Sequence, residues 1–390
     1  MKKRTSKYML KCGALLPWLF IPILISACAS KFDQATGDTK TVHIAANLPF
    51  TSDFAVYGEP IRDGMMMAID DLKKSDPGGP QLIIDWQDNA GAPGTAVSVA
   101  QKQLFQSPDI YTSGVHPQGM AIKDMIATKG IPHFMWIFDL SLNKNKQGLA
   151  VSNNCFRSWV NLKIEPPVFF DYIKAHKSKR VAITYVRLAG NTEAEYQDLV
   201  VPGLNKMGIK DVFLEPFDAS QKDFKDIAAK IQNFHPDLII FSGFQSYEAA
   251  IVRAFRPLGL IKDGNTLSSF DLLDTAKTLG KNELEGIRLT VPAFVINSGK
   301  EPVKGWIERL QARTHRPPLY TAAYAYDSIM IIHDAAKHLK LPATSQQWIA
   351  ALHATKLTGI TGPLSFDEDG SLNTPIQIAV FRDGKVIPDR

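Results

Sequence analysis

From residue 41 onward, short continuous apolar runs alternate with longer stretches in which apolar residues recur at helical spacing. Thr41–Leu48 (TVHIAANL) reads as a buried strand, and 60–74 as a helix ended by the turn Asp76-Pro77-Gly78-Gly79-Pro80. The rhythm continues with strands at 82–86, 110–113 and 131–138, separated by helices at 95–106 and 118–129. A second run places strands at 181–186, 212–215, 237–242 and 266–270, with helices at 192–207, 222–234 and 247–258. The tail differs. It reads as helices at 306–312, 320–339 and 346–356, then short strands near 363–366 and 376–381; the middle helix is apolar on most faces and therefore buried. Strands alternating with helices of this length predict parallel βαβ units, and two such runs predict an α/β protein of two doubly wound parallel-sheet lobes. Open sheets of this kind bind ligands outside the carboxyl ends of their strands.

The first 28 residues break the pattern. Lys2, Lys3, Arg4, Lys7 and Lys11 precede an apolar run over 14–25 and the small residues Ser26-Ala27-Cys28, the three-part order of a secretory signal. The run is interrupted by Pro17 and Pro22 and is shorter than the roughly 20 residues of a spanning helix. Leu24-Ile25-Ser26-Ala27-Cys28 also resembles the lipobox of bacterial lipoproteins. That likeness implies removal of 1–27 and a diacylglycerol on the Cys28 sulfur, which would hold the protein to a lipid bilayer by acyl burial. Residues 28–40 then form a polar tether too poor in apolar residues to fold. No Asp follows Cys28, and by the sorting habit of Gram-negative lipoproteins the implied anchor is the outer membrane, facing the periplasm.

Charge changes the picture only by subtraction. The 44 Lys and Arg exceed the 39 Asp and Glu by the five in the leader, so the remainder is neutral. No basic field for nucleic acid is expected. Of the three cysteines, Cys12 leaves with the signal and Cys28 carries lipid, so Cys155 is alone and no intramolecular disulfide is expected.

Five segments, in order, resemble the type I periplasmic binding proteins, in particular the leucine/isoleucine/valine-binding branch that serves ABC importers. They are HIAANLPFTSDFAVYGEPIRDGMMMAIDDL, VAITYVRLAGNTEAEYQDLV, SQKDFKDIAAKIQNFHPDLIIFSGF, YTAAYAYDSIMIIHDAAKHL and FDEDGSLNTPIQIAVFRDGKV. The resemblance implies two lobes joined by three crossover strands, 41–155 with 298–358 and 156–297 with 359–390. It also implies capture of a small-molecule solute by lobe closure, docking on permease subunits in the inner membrane, no cofactor and no catalysis.

Site residues follow from position in that pattern. Tyr57, beside Gly58, lies in the loop after the first strand and offers a ring face and a hydroxyl, while Gly58 reads as the bend. Where the amino-acid binders carry a serine pair after the third strand, this chain has His116, Pro117 and Gln118. Where they carry a small residue and a hydroxyl after the fourth, it has Trp136, Phe138 and Asp139. An α-carboxylate wants oriented hydroxyl and amide donors, so these loops argue against an ordinary aliphatic amino acid as ligand. In the second lobe Phe244 and Gln245 follow Gly243, Arg187 and Asn191 flank the first loop, and Asp271 ends a strand. Asp271 favours a cationic or NH-rich ligand group, or else caps a helix over 272–279. Arg187 would pair with an anionic group or with Asp271.

The rival classes lack their motifs. There is no nucleophile elbow, P-loop, GxGxxG after a strand or HExxH. His116, His133 and Asp139 fit no short metal spacing, and Met65, Met66 and Met67 read as helix packing. A ligand sensor or an envelope scaffold on the same fold remains the alternative.

Overall fold

β1 (Thr41–Leu48) organises the first sheet because it is apolar on both faces, and it pairs in parallel with β2 (Gln81–Asp88) on one side and β3 (Ile110–Gly114) on the other. β4 (His133–Trp136) and β5 (Cys155–Phe156) extend the sheet, giving the all-parallel order β2-β1-β3-β4-β5. The computed structural model describes residues 40–389 except 141, 146–148, 189, 190, 245, 317 and 318; the signal, Cys28, the tether up to residue 39 and Gln245 therefore lie outside the described residues.

Helices α1 (Ala55–Ser75), α2 (Pro93–Leu104) and α3 (His116–Thr128) follow the first three strands. Tyr111, Ile122, Ile126, Ala96 and Ala100 fill one face of the sheet. The other face takes α1 together with helices from late in the chain. α4 (Glu165–His176) then leads into the second sheet, built on β6 (Arg180–Tyr185). The stretch that reads as one helix over 192–207 is three pieces: α5 (Thr192–Ala194), a π-helical turn (Glu195–Val200) and α6 (Val201–Lys206). Pro202 supplies the reason, since it has no N–H to continue an α-helical ladder.

β7 (Asp211–Leu214), α7 (Lys225–Phe234), β8 (Leu238–Ser242), α8 (Tyr247–Phe255), β9 (Thr266–Ser268), α9 (Leu272–Thr275), α10 (Lys281–Leu284) and β10 (Arg288–Pro292) complete the parallel part. α11 (Ala293–Ile296) and α12 (Val303–Thr314) carry the chain back to the first sheet, where α13 (Tyr320–Lys337) lies along α1 and α14 (Ser345–Ala354) packs beside it. The approach is close: a Cβ at Gly64 would stand 2.0 Å from the Ala322 carbonyl oxygen. Trp306, Tyr324, Ile329, Ile332 and Trp348 share one core with Val42, Ile44, Leu48, Ile61, Met65 and Met67, the packing role read for the methionines.

A small ribbon of β11 (Leu357–Thr358) and β12 (Pro363–Leu364) precedes β13 (Ile376–Arg382) and β14 (Lys385–Pro388). These last two join the second sheet antiparallel, in the order β14-β13-β10-β9-β8-β6-β7. The second sheet is thus mixed at one edge. Separate apolar clusters cover its two faces. In both sheets strand order reverses at the opening strand, between β1 and β3 and between β6 and β8. The carboxyl ends of those strands are where such folds leave a crevice.

Candidate ligand-binding cleft

The loop after β1 is fixed before it reaches the crevice. The Asp88 carboxylate accepts hydrogen bonds from the Phe50 amide (2.8 Å), the Ala90 amide (2.8 Å) and the Thr51 hydroxyl (2.7 Å). Burial raises its pKa, and these donors outweigh that effect and hold it below its ordinary value. Gly58 is not a bend but the fourth residue of α1, where a Cβ would strike the Pro49 carbonyl oxygen. Phe54 and Tyr57 are presented from this stretch. Asn89 ties the neighbouring strand ends together by donating to the Asn47 Oδ1 (3.0 Å) and the Gly114 carbonyl (3.3 Å).

A cavity of about 230 Å³ opens where these ends meet those of the second sheet. Phe54, Tyr57, Val115, His116, Pro117, Trp136 and Phe138 line it from the first sheet, and Leu188, Asn191, Thr192, Glu195, Ser242, Phe244, Phe270 and Asp271 from the second. Trp159, Leu162 and Glu165, from the segment joining the sheets, close it. Every strand-end loop expected to face a ligand contributes. A larger hollow of about 370 Å³ lies at the amino end of β2, among Leu72, Lys73, Pro77 and Pro80. It lies away from the carboxyl ends and gathers no convergent buried polar groups, so the smaller cavity is the candidate.

Its walls are aromatic. Phe138 packs on Trp159 (5.5 Å between ring centres) and on Phe270 (5.8 Å), so rings carried by the two sheets meet at the back of the cleft. Trp136 is 1% exposed, and its Nε1 has no hydrogen-bond partner among the described residues. Burial pushes the His116 imidazole below its ordinary pKa against the pull of Asp139, which keeps the ring neutral.

The floor is acidic. Glu165 and Glu195 are each 1% exposed. The Thr290 hydroxyl donates to Glu165 Oε1, and the two carboxyls lie within hydrogen-bonding reach of each other. Burial pushes Glu165 up to about 7 and Glu195 well above the ordinary carboxyl range, the latter helped by the charges of Glu165 and Asp271. Behind them Glu248 Oε1 accepts from Ser268 and Ser269, both at 3.0 Å, and from the Gly243 amide at 3.3 Å. Burial first, then Asp271, raises its pKa as well. Among the described residues that line the cavity there is no lysine or arginine.

Of the residues singled out from sequence, Tyr57, His116, Trp136, Phe138, Asn191, Phe244 and Asp271 line this cavity. Gln118, Asp139 and Arg187 do not. Gln118 is fully buried and donates its side-chain amide to the Gly91 carbonyl, a structural tie under the loop. Arg187 points to Asp218 (3.0 Å) and Glu193 (3.9 Å) rather than to Asp271. Asp139 stands beside the cavity, where its charge acts on His116 and Arg157. Asp271 precedes α9 without a side-chain capping bond, and its carboxylate lies 3.3 Å from the Ser269 hydroxyl, whose shorter contact is to Glu248. His133 lies within β4, bonded to Ser113 (2.7 Å), and no group of three metal-ligating side chains occurs among the described residues. Glu165 and Glu195 were not singled out. No local signal marks them: α4 starts nine residues after β5 ends, and Glu195 opens a π-helical turn ten residues after β6 ends.

A profile of the periplasmic binding protein family matches residues 41–385. An amino acid binding protein of Pseudomonas aeruginosa is 26% identical over 381 residues, covering 93% of this chain and 96% of its own. A leucine-binding protein from Thermotoga maritima has the same fold, with a TM-score of 0.74 at 17% identity over 90% of this chain and 98% of its own. So has a solute-binding protein of an ABC transporter from R. palustris, solved in complex with benzoate, at 0.72 and 16% over 89% and 95%.

Proposed function

Because the chain belongs to the periplasmic binding protein family, we propose that it is the extracytoplasmic solute-binding subunit of an ABC importer and captures a small polar, amino-acid-like or amide- or amine-bearing solute without transforming it. The cavity at the facing carboxyl ends of two sheets carries this reading. Its aromatic walls supply contact area, and a few buried polar groups supply orientation, the usual make-up of a small-molecule site. The segments 41–155 with 298–358, and 156–297 with 359–390, act as lobes that close on the solute and then dock on permease subunits in the inner membrane. An envelope scaffold would have no use for such a cavity.

The test is a thermal-shift screen of the purified protein against amino acids, amides, polyamines and aromatic acids, since a ligand of the native state raises the melting temperature. For the best hit, Trp136→Ala should weaken binding by roughly tenfold or more while unfolding stays cooperative. Trp136→Phe keeps the ring and isolates the indole N–H. Affinity unchanged in both variants would remove Trp136 from the site.

The anchor belongs to the same proposal. Cys28 carries the lipid, and 28–40 tether the domain to the outer membrane. Labelled palmitate should enter the parent protein and not Cys28→Ser, which should fractionate with soluble periplasmic proteins. Equal labelling of the two would remove the lipid from Cys28.

A further inference from the structure

We propose that the cavity takes an organic cation, a protonated amine on an apolar body with no carboxylate, and that the paired carboxyls of Glu165 and Glu195 receive its charge. The inference rests on the solute-binding reading above and narrows its ligand class.

Three observations converge. One ammonium needs about one opposing carboxylate, yet Glu165, Glu195 and Asp271 all line this cavity. Glu195 is the sharper case. It is 1% exposed and lines the cavity, and its Oε1 receives no hydrogen bond from any hydroxyl, amide or cationic N–H among the described residues. A buried acceptor without a donor is costly, and an ammonium supplies donors and charge together. Finally, the rings of Trp136, Phe138, Phe244 and Phe270 stand around this floor, and aromatic faces attract cations strongly when both are dry.

A carboxylate-bearing ligand fares worse. Its anion would enter an aromatic and acidic cavity whose lining among the described residues includes no lysine or arginine, and where the one histidine, His116, is held neutral. Benzoate, the ligand of the R. palustris structure, meets the same obstacle here.

Proton release would accompany binding. Asp271 from the turn before α9 acts on Glu195, Tyr196 from the same π-helical turn feels both carboxyls, and Glu248 from α8 interacts with Asp271 and Tyr196; all are acids. Below about pH 7 both carboxyls carry a proton; an arriving ammonium displaces the Glu165 proton to solvent, and Glu195 keeps its own. The cation's charge replaces the proton's, so the cavity keeps its net charge.

The experiment is calorimetry with probes that share a phenyl ring and differ in charged groups: 2-phenylethylamine, phenylalanine and 3-phenylpropanoate, with 1,4-diaminobutane as a second amine. At least one amine should bind at least tenfold more tightly than either carboxylate-bearing probe. Its affinity should climb with pH below about 7, where Glu165 titrates, approaching tenfold per unit for one proton released. Glu165→Gln and Glu195→Gln should each weaken amine binding at least tenfold and flatten that climb, with the melting temperature of the unliganded protein unchanged or raised. Phenylalanine or phenylpropanoate binding as tightly as the amines, or amine binding indifferent to both substitutions, overturns the inference and leaves the solute-binding reading standing. Binding by neither amine also overturns it. Only if no member of the wider thermal-shift panel binds does the solute-binding reading fall with it.

Discussion

Glu165→Gln should make the unliganded protein more stable at neutral pH, and its advantage over the parent should grow by roughly 3 kcal/mol between pH 4.5 and 7. The sign follows from proton counting. Burial first, opposed by the Thr290 hydrogen bond, raises the Glu165 carboxyl from 4.5 to about 7 in the folded state. The folded chain therefore holds a proton that the unfolded chain has released throughout that window. Stability present below pH 4.5 is lost as pH rises through the folded pKa. Glutamine keeps an acceptor for Thr290 and cannot ionise. Other groups add their own slopes: Asp327, raised by burial to about 6, falls in the same direction, and His133, depressed by burial to about 3, runs in the opposite one. The difference between variant and parent removes both. Urea midpoints at pH 5 and pH 7.5 measure it, and parallel profiles would show that Glu165 does not titrate in this window. The cation proposed above would offset this cost on binding, which joins the stability experiment to the ligand class.

The fold was largely legible because buried parallel strands are continuous apolar runs. TVHIAANL has the bounds of β1, and the strands expected at 181–186 and 237–242 fall within a residue of β6 and β8. What escaped has tertiary causes. α4 opens on Glu165-Pro166-Pro167, a sequence that looks like a turn; prolines are tolerated there because the first helical N–H groups need no partner. β10 begins on Arg288 and ends on Pro292, and it becomes a strand by lying between β9 and β13. The aromatic side of the cleft was legible from strand-end positions, as Trp136, Phe138 and Phe244 illustrate. The acidic floor was not. Glu165 and Glu195 look like ordinary solvated helix residues, and only the crossing after β5 and the π-helical turn bring them together. Arg187 failed for the opposite reason: an exposed arginine takes whatever carboxylate is near, here Asp218.

Asp369→Ala should cost about 3–5 kcal/mol and loosen the junction between the two sheets. Asp369 is 4% exposed and belongs to the last passage of the chain from the first sheet to the second. Its carboxylate accepts the amides of Leu142 and Asn143, each at 3.0 Å, and its own carbonyl accepts from the Asn143 side chain at 2.8 Å. Next to it, Arg157 pairs its backbone with Gly370 and Leu372, both at 2.8 Å, so the crossing after β5 and the crossing before β13 run side by side. The Arg157 guanidinium is 1% exposed. Burial lowers its pKa to about 10, and the charges of Asp139, Asp369 and Asp367 oppose that fall. Alanine at 369 would strand two buried amides and strip one of the carboxylates that balance Arg157, and an uncompensated buried charge is among the most damaging of single changes. Because the lesion sits between the sheets and not within either core, affinity should fall together with stability. Asp369→Asn, which keeps an acceptor for only one of the two amides and sets an NH2 against the other, should recover only a small part of both. An unfolding free energy within 1 kcal/mol of the parent for Asp369→Ala would show that the crossings hold without this carboxylate.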